Sequence, residues 1–492
     1  MAFRLCTTLL FGFLVTAHAA DGKYNVLFLM TDEQHHRSLS LTGNSYITTP
    51  NMDRIGKEGA LFQNATCVTP YCSPSRASFI TGVYPHRHRI LVNVDGKRQA
   101  PLKQDAFPNT ETILHRAGYA TAHRGKWHLG DTGKFDCYDS RTYFGKSNQE
   151  YGRFLEEHLP AAKFTNHPSP GKYLNRPVEM IPAIEKAYRA FTAEPNNRVS
   201  YISIIGRSVI PPELLPETRL TDDAIRLIEK HARERFMITV SWSPPHDLWV
   251  MPEPYYSMVD RKKIKLPSTR SLPEWDAHGA SKRLGDLAGD EGLREYAAIY
   301  HGMVKYMDDQ IGRILKKLDE LDLAKKTLVI FTTDHGDMVG AHGCIGKSIG
   351  GFYDDLVRIP FLMRLPGVIK PGTVVRQPVS QIDVMPTILD YVGQPVPQPI
   401  HGRSLRPLLE GRDVPWRDHA FCQRADRQHM IRTDRYKYVF SVKPKIVALY
   451  DLQTDPEENE NLADKPQHAD LVRKMHQRLL DVMKADDDPF SR

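Results

Sequence analysis

One segment of the chain combines a thiol, a proline and a guanidinium at a spacing that suits nucleophilic chemistry on an anion. The segment is Cys72-Ser73-Pro74-Ser75-Arg76-Ala77-Ser78-Phe79-Ile80-Thr81-Gly82. Proline is favourable in the first turn of a helix, so Cys72 is expected at a helix N-terminus, where anions are stabilised and the pKa of a thiol falls. Arg76 lies one turn further on and is able to face the same anion. From spacing alone, a reactive thiol and a structural cysteine before a helix stay equally open.

Titratable side chains follow four apolar segments that have the character of buried strands. These strands are predicted at 25–30, 119–123, 236–240 and 327–331, since uninterrupted apolar runs are typical of strands buried on both faces of a parallel sheet. The side chains that follow them are Asp32 and Glu33, Lys126 and His128, His246, and Asp334 and His335. Ligands of open α/β sheets bind beyond the carboxyl ends of the strands, so we expect the four ends to share one crevice.

The residue types at these ends indicate a crevice that binds a divalent cation and an anion. Asp32, Glu33 and Asp334 supply hard oxygen donors, which Ca²⁺ and Mg²⁺ prefer, and the nitrogen of His335 would also admit Mn²⁺. Residues i and i+2 of an extended segment point to the same side, so the lysine and histidine after the second strand are able to reach one anion. Each residue also has a structural interpretation, because aspartates often cap helices and most lysines are exposed.

The elements that hold the crevice alternate between strands and helices. Helices are predicted at 110–117 and 293–321, the second from apolar residues at near-helical spacing. We therefore predict an α/β fold with a large mixed, mostly parallel sheet sandwiched by helices. From residue 416 onward the sequence alternates apolar and polar positions and then forms an amphipathic pattern. This change predicts a catalytic domain at 21–415 and a smaller C-terminal α+β subdomain with an antiparallel sheet at 416–492.

Residues 1–20 have the pattern of a secretory signal peptide. A basic start precedes an apolar run at 9–15, and Ala17-His18-Ala19 suits cleavage after a small residue. The run is too short to span a membrane and no other run is apolar enough, so the mature protein is expected to be soluble and secreted or periplasmic.

The net charge of +7 is spread along the chain, which favours anionic substrates mildly. Nucleic-acid binding is not expected, since no basic run is interleaved with aromatic residues.

The segment 72–82 resembles the signature of the type I sulfatases, a family within the alkaline phosphatase superfamily: C-x-P-x-R, a small residue, and Thr-Gly a few residues later. Other segments resemble the same family in chain order, namely the strand that ends at Asp32 and Glu33, Gly125 to Gly130, Pro245-His246-Asp247, Asp334-His335-Gly336, Gly346-Lys347, Arg358-Ile359-Pro360 and Leu449 to Leu462. The resemblance is weakest at 131–235 and 250–290. Glu33 stands where the family usually has Asp or Gln, so a metal ligand and a hydrogen-bonding neighbour both stay open at that position.

The resemblance implies a modified nucleophile. Cys72 would be oxidised after synthesis to 3-oxoalanine (formylglycine) by a formylglycine-generating enzyme. One hydroxyl of the hydrated aldehyde would attack sulfur and release the alcohol, and the other would then lose its proton and expel sulfate. A serine lacks the second hydroxyl, which is the chemical reason for the unusual residue.

The resemblance also implies the roles of the surrounding side chains. Arg76 would hold the formylglycine, Lys126 and Lys347 would bind the sulfate, and His246 or His128 would protonate the leaving alcohol. The catalytic residues would be Cys72, Arg76, Lys126, His128, His246 and Lys347. The metal ligands would be Asp32, Glu33, Cys72, Asp334 and His335. The cation is usually Ca²⁺ in this family, with Mg²⁺ and Mn²⁺ as alternatives.

Three functions follow from these observations. The first is an exported sulfatase that hydrolyses sulfate esters, and export, size and the irregular segment 131–220 favour carbohydrate sulfates. The second is a phosphonate or phosphate monoester hydrolase of the same superfamily, against which Lys126, His128 and Lys347 favour sulfate. The third is a binder of sulfated glycans without turnover, which would apply if Cys72 is never oxidised.

Overall fold

The structure is a computed structural model, which describes most of the chain from residue 24 onward. The described residues are 24–103, 106–130, 136–139, 151, 154–155, 157–159, 178–193, 204–269, 271–273, 279–347, 351–425, 427–443 and 445–491. The predicted signal peptide at 1–20 and much of the segment 131–220 lie outside these ranges.

Strands and helices alternate along most of the described chain. The strands are β1 (Asn25–Asp32), β2 (Ala60–Phe62), β3 (Ala65–Thr66), β4 (Ala120–Gly125), β5 (Asp136–Asp139), β6 (Val178–Glu179), β7 (Ile205–Ser208), β8 (Phe236–Pro245), β9 (Trp249–Met251), β10 (Thr327–Thr333), β11 (Phe361–Arg364), β12 (Thr373–Val375), β13 (Val379–Ser380), β14 (Ala420–Arg424), β15 (Gln428–Arg432), β16 (Tyr436–Ser441) and β17 (Ile446–Asp451). The α-helices are α1 (Pro50–Lys57), α2 (Cys72–Thr81), α3 (Pro85–His88), α4 (Thr110–Arg116), α5 (Pro182–Thr192), α6 (Pro216–Lys230), α7 (Ala280–Glu320), α8 (Asp354–Val357), α9 (Val384–Tyr391), α10 (Arg406–Leu409) and α11 (Ala469–Ala485). Short 3₁₀ helices lie at Ser40–Thr42, Pro212–Leu214, Arg261–Lys263, Ala324–Lys326, Ala341–Gly343, Gln381–Asp383, Pro466–His468 and Pro489–Ser491.

An eight-stranded sheet forms the centre of the larger part of the molecule, in the order β12-β2-β11-β10-β1-β8-β4-β5. Strands β10, β1, β8, β4 and β5 run parallel to one another, whereas β11 is antiparallel to both of its neighbours. Every residue of β1 is buried between β10 and β8, which accounts for the apolar run from Val26 to Met30. Because four neighbouring strands are parallel, the carboxyl ends of β10, β1, β8 and β4 meet at one edge of the sheet.

Helices cover both faces of this sheet, and the side chains of β1 alternate between the two cores. Val26 and Phe28 pack into the core that includes residues of α2, α4 and α9. Leu27 and Leu29 pack into the core that includes residues of α6 and α7. The helix predicted at 293–321 is the second part of α7, which begins at Ala280 and departs from helical geometry at Gly289 (φ 63°, ψ −167°).

A four-stranded antiparallel sheet, β14-β15-β16-β17, follows toward the C-terminus, and α11 packs against it. Buried ion pairs connect this sheet to the larger part of the molecule. The Nζ atom of Lys437 lies 2.6 Å from Asp354 Oδ1 and 2.7 Å from Glu458 Oε1, and Arg432 Nη2 lies 2.9 Å from Asp354 Oδ2. The predicted α/β class, with a mostly parallel sheet and a C-terminal antiparallel sheet, is confirmed. Among the described helices, none is both long enough and apolar enough to cross a bilayer.

Candidate active site

The Cys72 side chain lies in the first turn of α2, next to the carboxyl ends of β1 and β10. Its Sγ atom is 3.3 Å from His335 Nε2 and 3.8 Å from Asp32 Oδ1. Burial alone would raise the pKa of this thiol, but the positive charges of Lys126, Lys347 and His335 outweigh burial and hold the pKa well below its usual range. The surroundings of residue 72 therefore stabilise negative charge on its side chain, which favours the reactive interpretation of this cysteine.

Arg76 joins the strand ends to the helix that carries Cys72. Its Nη2 donates to Asp32 Oδ2 at 2.8 Å and its Nε donates to Asp334 Oδ2 at 2.9 Å. Its Nη1 donates to the carbonyl oxygen of Lys126 at 2.5 Å and to Ser241 Oγ at 2.8 Å. The Arg76 side chain is 3% exposed, so these charge-assisted bonds lie away from water and are strong. One guanidinium thus fixes the ends of β1, β10, β4 and β8 relative to α2.

The end of β4 is held close to β8 by a glycine. A Cβ atom on Gly125, where φ is 101°, would lie 1.9 Å from the carbonyl oxygen of Ser241. The absence of that atom permits Lys126 N to donate to the same oxygen at 2.8 Å. The Lys126 ammonium forms a buried ion pair with Asp32. The backbone of His128 is left-handed (φ 63°), and both of its ring nitrogens are buried without a hydrogen-bond partner among the described residues, which suits contact with the oxygens of a bound anion.

His246 and Lys347 face the same cluster from the ends of other elements. His246 Nδ1 lies 2.6 Å from Asp247 Oδ1, and His246 Nε2 lies 3.3 Å from Glu33 Oε2 and 3.0 Å from Lys347 Nζ. Burial lowers the pKa of His246, but the negative charges of Asp247 and Glu33 outweigh burial and the nearby lysines, so the pKa rises well above its usual value. A protonated imidazole whose Nε2 faces the cluster is able to act as a general acid.

The Glu33 carboxylate contacts both Lys347 and His246. Glu33 also has a left-handed backbone (φ 63°), and its Oε2 accepts a hydrogen bond from Lys347 Nζ at 2.6 Å. Tyr300 OH donates to the Glu33 carbonyl oxygen at 2.7 Å. Burial and the charge of Glu33 raise the pKa of the neighbouring Asp337 well above its usual range, and Asp337 accepts a hydrogen bond from the Tyr296 hydroxyl. Glu33 is thus held from both its backbone and its side chain.

Four of the predicted metal ligands meet in one group that fits a divalent cation. The ligand atoms of Asp32, Cys72, Asp334 and His335 lie within 4.8 Å of one another, and all four residues are buried. Arg76 occupies the Oδ2 atoms of both aspartates, while Asp32 Oδ1 faces the Cys72 sulfur and Asp334 Oδ1 lies 3.9 Å from His335 Nε2. Hard carboxylate oxygens suit Ca²⁺, Mg²⁺ and Mn²⁺. Glu33 belongs to a second group, with Asp32 and His246.

The charge of this group also suits a cation. The pKa of His335 rises to about 9, because the negative charges of Asp334 and Cys72 outweigh burial, which lowers it. His335 Nδ1 lies 2.9 Å from the carbonyl oxygen of Gly336, and His335 Nε2 lies 3.3 Å from the Cys72 sulfur. A ring held in this way by a carbonyl presents its other nitrogen as a ligand. The negative charges of Asp334 and Cys72 that raise the pKa of His335 would equally attract a metal ion.

Several residues around the site were missed by the sequence analysis. Ser75 Oγ donates to the carbonyl oxygen of Asp334 at 2.6 Å, and Gln381 Nε2 donates to the same oxygen at 2.5 Å. Asp247 and Asp337 each follow a predicted site histidine closely along the chain, and that proximity is a signal that could have found them. Gln381 and the tyrosines of α7 have no comparable local signal, since only the folded chain brings them to the site.

The fold and the site together define a class of protein. A doubly covered, mostly parallel sheet carries at one edge the buried Cys72 side chain, carboxylates that suit a divalent cation, and several positively charged side chains. This arrangement is that of a hydrolase for anionic esters. Residues 24–394 match the family model described as Sulfatase, and residues 340–485 match the model described as N-sulphoglucosamine sulphohydrolase, C-terminal. The chain therefore belongs to the sulfatase family, the type I sulfatases of the alkaline phosphatase superfamily, and is a sulfuric ester hydrolase.

Individual relatives extend over nearly the whole chain. The N-acetylglucosamine-6-O-sulfatase of Bacteroides thetaiotaomicron is 28% identical over 511 residues, which cover 94% of this chain and 87% of that protein. The arylsulfatase of Clostridium perfringens is 26% identical, with coverage of 95% and 96%. Among solved structures, the phosphonate monoester hydrolase SpPMH of Silicibacter pomeroyi superposes with a TM-score of 0.76 at 25% identity and covers 95% of this chain and 96% of its own. The chain is thus similar both to sulfatases and to a phosphonate hydrolase.

Proposed function

We propose that this protein is an exported sulfatase that hydrolyses carbohydrate sulfate esters, with residue 72 in the formylglycine form and one Ca²⁺ ion at the site. One observation carries the proposal, namely that Cys72 Sγ lies 3.3 Å from His335 and 3.8 Å from Asp32 at the joined ends of β10 and β1. Had these side chains been far apart, no single ion and no single substrate group could have contacted all of them.

The side chains of the pocket would divide into those that hold the nucleophile and those that hold the sulfate. Arg76 fixes Asp32 and Asp334 through their Oδ2 atoms, so that their other oxygens stay directed to the cluster. Lys126 is paired with Asp32 and Lys347 with Glu33. Both ammonium groups would offset the negative charge of the sulfate as it is transferred.

Departure of the alcohol requires a proton, which His246 is best placed to supply. The Asp247 carboxylate at 2.6 Å from Nδ1 holds the ring with its Nε2 toward the cluster. The raised pKa favours the protonated form of the ring, which would supply this proton. His128, whose ring nitrogens have no partner among the described residues, would instead contact a sulfate oxygen.

The Ca²⁺ ion and the formylglycine that family membership implies both fit the residues around the site. Asp32, Asp334, His335 and residue 72 would hold the Ca²⁺ ion, with Glu33 beside them as an alternative ligand, and Mg²⁺ or Mn²⁺ would suit the same donors. When bound, the cation supplies Lewis acidity, and the formylglycine hydrate supplies a nucleophilic hydroxyl. Formation of that aldehyde would depend on a formylglycine-generating enzyme in the host.

Export and a carbohydrate substrate are supported by the N-terminal sequence and by the similarity to a relative. The pattern at 1–20 supports export, so that the mature catalytic domain would cover 21–415 and the C-terminal subdomain 416–492. The similarity to an N-acetylglucosamine-6-O-sulfatase supports a carbohydrate sulfate as substrate.

The competing function is hydrolysis of phosphonate monoesters. The observation in its favour is the superposition with the Silicibacter pomeroyi phosphonate monoester hydrolase at a TM-score of 0.76. Parallel turnover of an aryl sulfate and an aryl phosphonate monoester separates the two functions, and dominant phosphonate turnover would reverse their order.

The decisive experiment is a sulfate-release screen over defined sulfated sugars, made with protein from its native host. Sulfate release is expected from the parent and from a Cys137→Ala control, which removes a cysteine on β5, and is expected to be lost in Cys72→Ala. The mass of the peptide that contains residue 72 is measured on the same sample, since conversion of thiol to aldehyde lowers the mass by about 18 Da. Unmodified Cys72 with bound but unreleased sulfated sugar would favour a glycan binder. Sulfate release by Cys72→Ala at the parent rate would refute the assigned nucleophile.

A further inference from the structure

The surface beside the nucleophile is formed by Tyr71. This residue is the N-cap of α2 (φ −136°, ψ 135°), and its carbonyl oxygen accepts a hydrogen bond from Ser75 N at 3.1 Å, which fixes it relative to the first turn. Cys72 is 1% exposed, whereas Tyr71 is partly exposed. Tyr71 is therefore accessible to solvent, and it is the residue next to the predicted nucleophile, Cys72.

An arginine of the C-terminal sheet covers this tyrosine. The Arg424 guanidinium carbon lies 5.4 Å from the centre of the Tyr71 ring, and Arg424 Nη2 donates to Tyr71 OH at 3.3 Å. Arg424 Nη1 donates to Gln428 Oε1 at 3.0 Å. The neighbouring Gln423 N donates to the Val68 carbonyl oxygen at 2.9 Å, so β14 is attached to the segment that leads into α2. The position of Arg424 is thus set by contacts on both sides.

The charge of Arg424 is not neutralised by these contacts. The groups that hold it are a phenol and an amide, and within the described residues no carboxylate lies within 4.0 Å of its guanidinium. A half-buried guanidinium held by neutral acceptors keeps donors available for a carboxylate or a sulfate, which it binds in a bidentate manner.

We infer that Tyr71 and Arg424 form a subsite for a second anionic group on the alcohol part of the substrate. The inference rests on the proposed function and narrows the substrate class to sulfated sugars that carry a carboxylate or another sulfate near the scissile ester. The Tyr71 ring would pack against the sugar beside the scissile sulfate, and Arg424 would contact the second anion. The C-terminal sheet would thereby select the substrate, while the large sheet carries out the reaction.

The test compares matched substrates on matched variants. The substrates are the sulfated monosaccharides of the release screen as neutral methyl glycosides, the same sugars linked to a uronate, and the same sugars with a second sulfate. The variants are Arg424→Gln and Tyr71→Phe. The control is Arg435→Gln, which removes one positive charge from the turn between β15 and β16 of the same sheet, where Arg435 is paired with Asp451 at 2.8 Å. The quantity measured is kcat/KM for sulfate release.

The parent is expected to prefer the substrates with a second anion. Arg424→Gln should lower kcat/KM for those substrates by roughly tenfold to hundredfold, the range for one hydrogen bond to a charged group, and leave the neutral glycosides unchanged. Tyr71→Phe should give a smaller loss on the same substrates, and Arg435→Gln should change neither class. The uronate and disulfate arms show which anion the subsite prefers. Unchanged activity of Arg424→Gln on the neutral glycosides also shows that the variant is folded.

Two results would overturn the inference, and they differ from failure of the proposed function. If the parent hydrolyses neutral and anionic sugars equally well, or if Arg424→Gln slows both classes equally, the subsite does not exist although the protein is a sulfatase. If the parent releases sulfate from no sugar in the screen, the carbohydrate-sulfatase function fails and the inference fails with it.

Discussion

Glu111 offers a measurement of how strongly the interior beneath the active site excludes charge. It lies in the first turn of α4 and is 2% exposed, and within the described part of the chain both of its carboxyl oxygens are buried without a hydrogen bond from another residue. It lines a small cavity together with apolar residues such as Phe28 and Met30 and with the polar side chains of Arg76 and His123. Burial among such neighbours raises its pKa from an ordinary 4.5 to about 7.

The magnitude follows from the difference between the folded and unfolded pKa. One pKa unit corresponds to 1.36 kcal/mol, so ionisation of Glu111 costs the folded state about 3 kcal/mol. Because the folded pKa is raised, the contribution to stability is fully present below pH 4.5 and is lost as the pH rises through about 7. Glu111→Gln replaces the acid with a neutral group of the same shape. The free energy of unfolding of the variant, relative to the parent, should therefore rise by about 3 kcal/mol between pH 4.5 and pH 8.

The assay is urea denaturation followed by tryptophan fluorescence at several pH values across this window. The change with pH is the informative quantity, since any fixed cost of placing an amide in the cavity is the same at every pH. Glu185→Gln is the matched control, because Glu185 is 51% exposed and pairs with Arg189 on the surface of α5, and its effect should be small throughout. A difference between Glu111→Gln and the parent that does not change with pH would refute the assigned burial of the carboxylate.

Two further predictions concern the active site, and one concerns the connection between the sheets. Arg76→Met removes the guanidinium that the two buried aspartates share, so the free energy of unfolding should fall by about 3 to 5 kcal/mol in urea denaturation, whereas Arg189→Met should have little effect. Dialysis against a chelator should abolish sulfate release, and added Ca²⁺ should restore it together with a higher melting temperature; full activity without the ion would contradict the metal site. Lys437→Met leaves Asp354 and Glu458 without their shared cation, and should destabilise by about 3 kcal/mol in the same denaturation assay.

The convergence at the sheet edge could be predicted because it depends on local patterns and one general rule. The segments around Asp32, Lys126, His246 and Asp334 each follow a recognisable buried strand, and parallel neighbours must end at the same edge. The proline at position 74 predicted that Cys72 lies at the start of a helix, and α2 does begin at Cys72. These features lie within a few residues along the chain, so no tertiary information was needed to find them.

The orientation of side chains within the site could not be predicted in the same way. At Glu33 the sequence leaves a metal ligand and a hydrogen-bonding neighbour open, and the structure shows a left-handed backbone (φ 63°) and a carboxylate that contacts Lys347. A left-handed conformation of a residue other than glycine costs free energy and persists only where the surrounding structure holds it. At Glu33 that support comes from Tyr300 OH, which donates to the carbonyl oxygen at 2.7 Å. No periodicity in the local sequence indicates such a contact.

The contribution of α7 to the site explains why an amphipathic pattern is an incomplete guide to function. Its apolar positions predict a core helix, and Ile299, Met303 and Ile311 are indeed fully or almost fully buried. On the same helix, the hydroxyls of Tyr296 and Tyr300 donate to Asp337 Oδ1 and to the Glu33 carbonyl oxygen, respectively. Tyrosine allows both roles, because its ring satisfies the apolar pattern while its hydroxyl bonds to a polar group at the edge of the core. The helix that covers one face of the sheet therefore also sets the position of the side chains after β1 and β10, and a change on α7 far from the substrate would act on the site through these two hydroxyls.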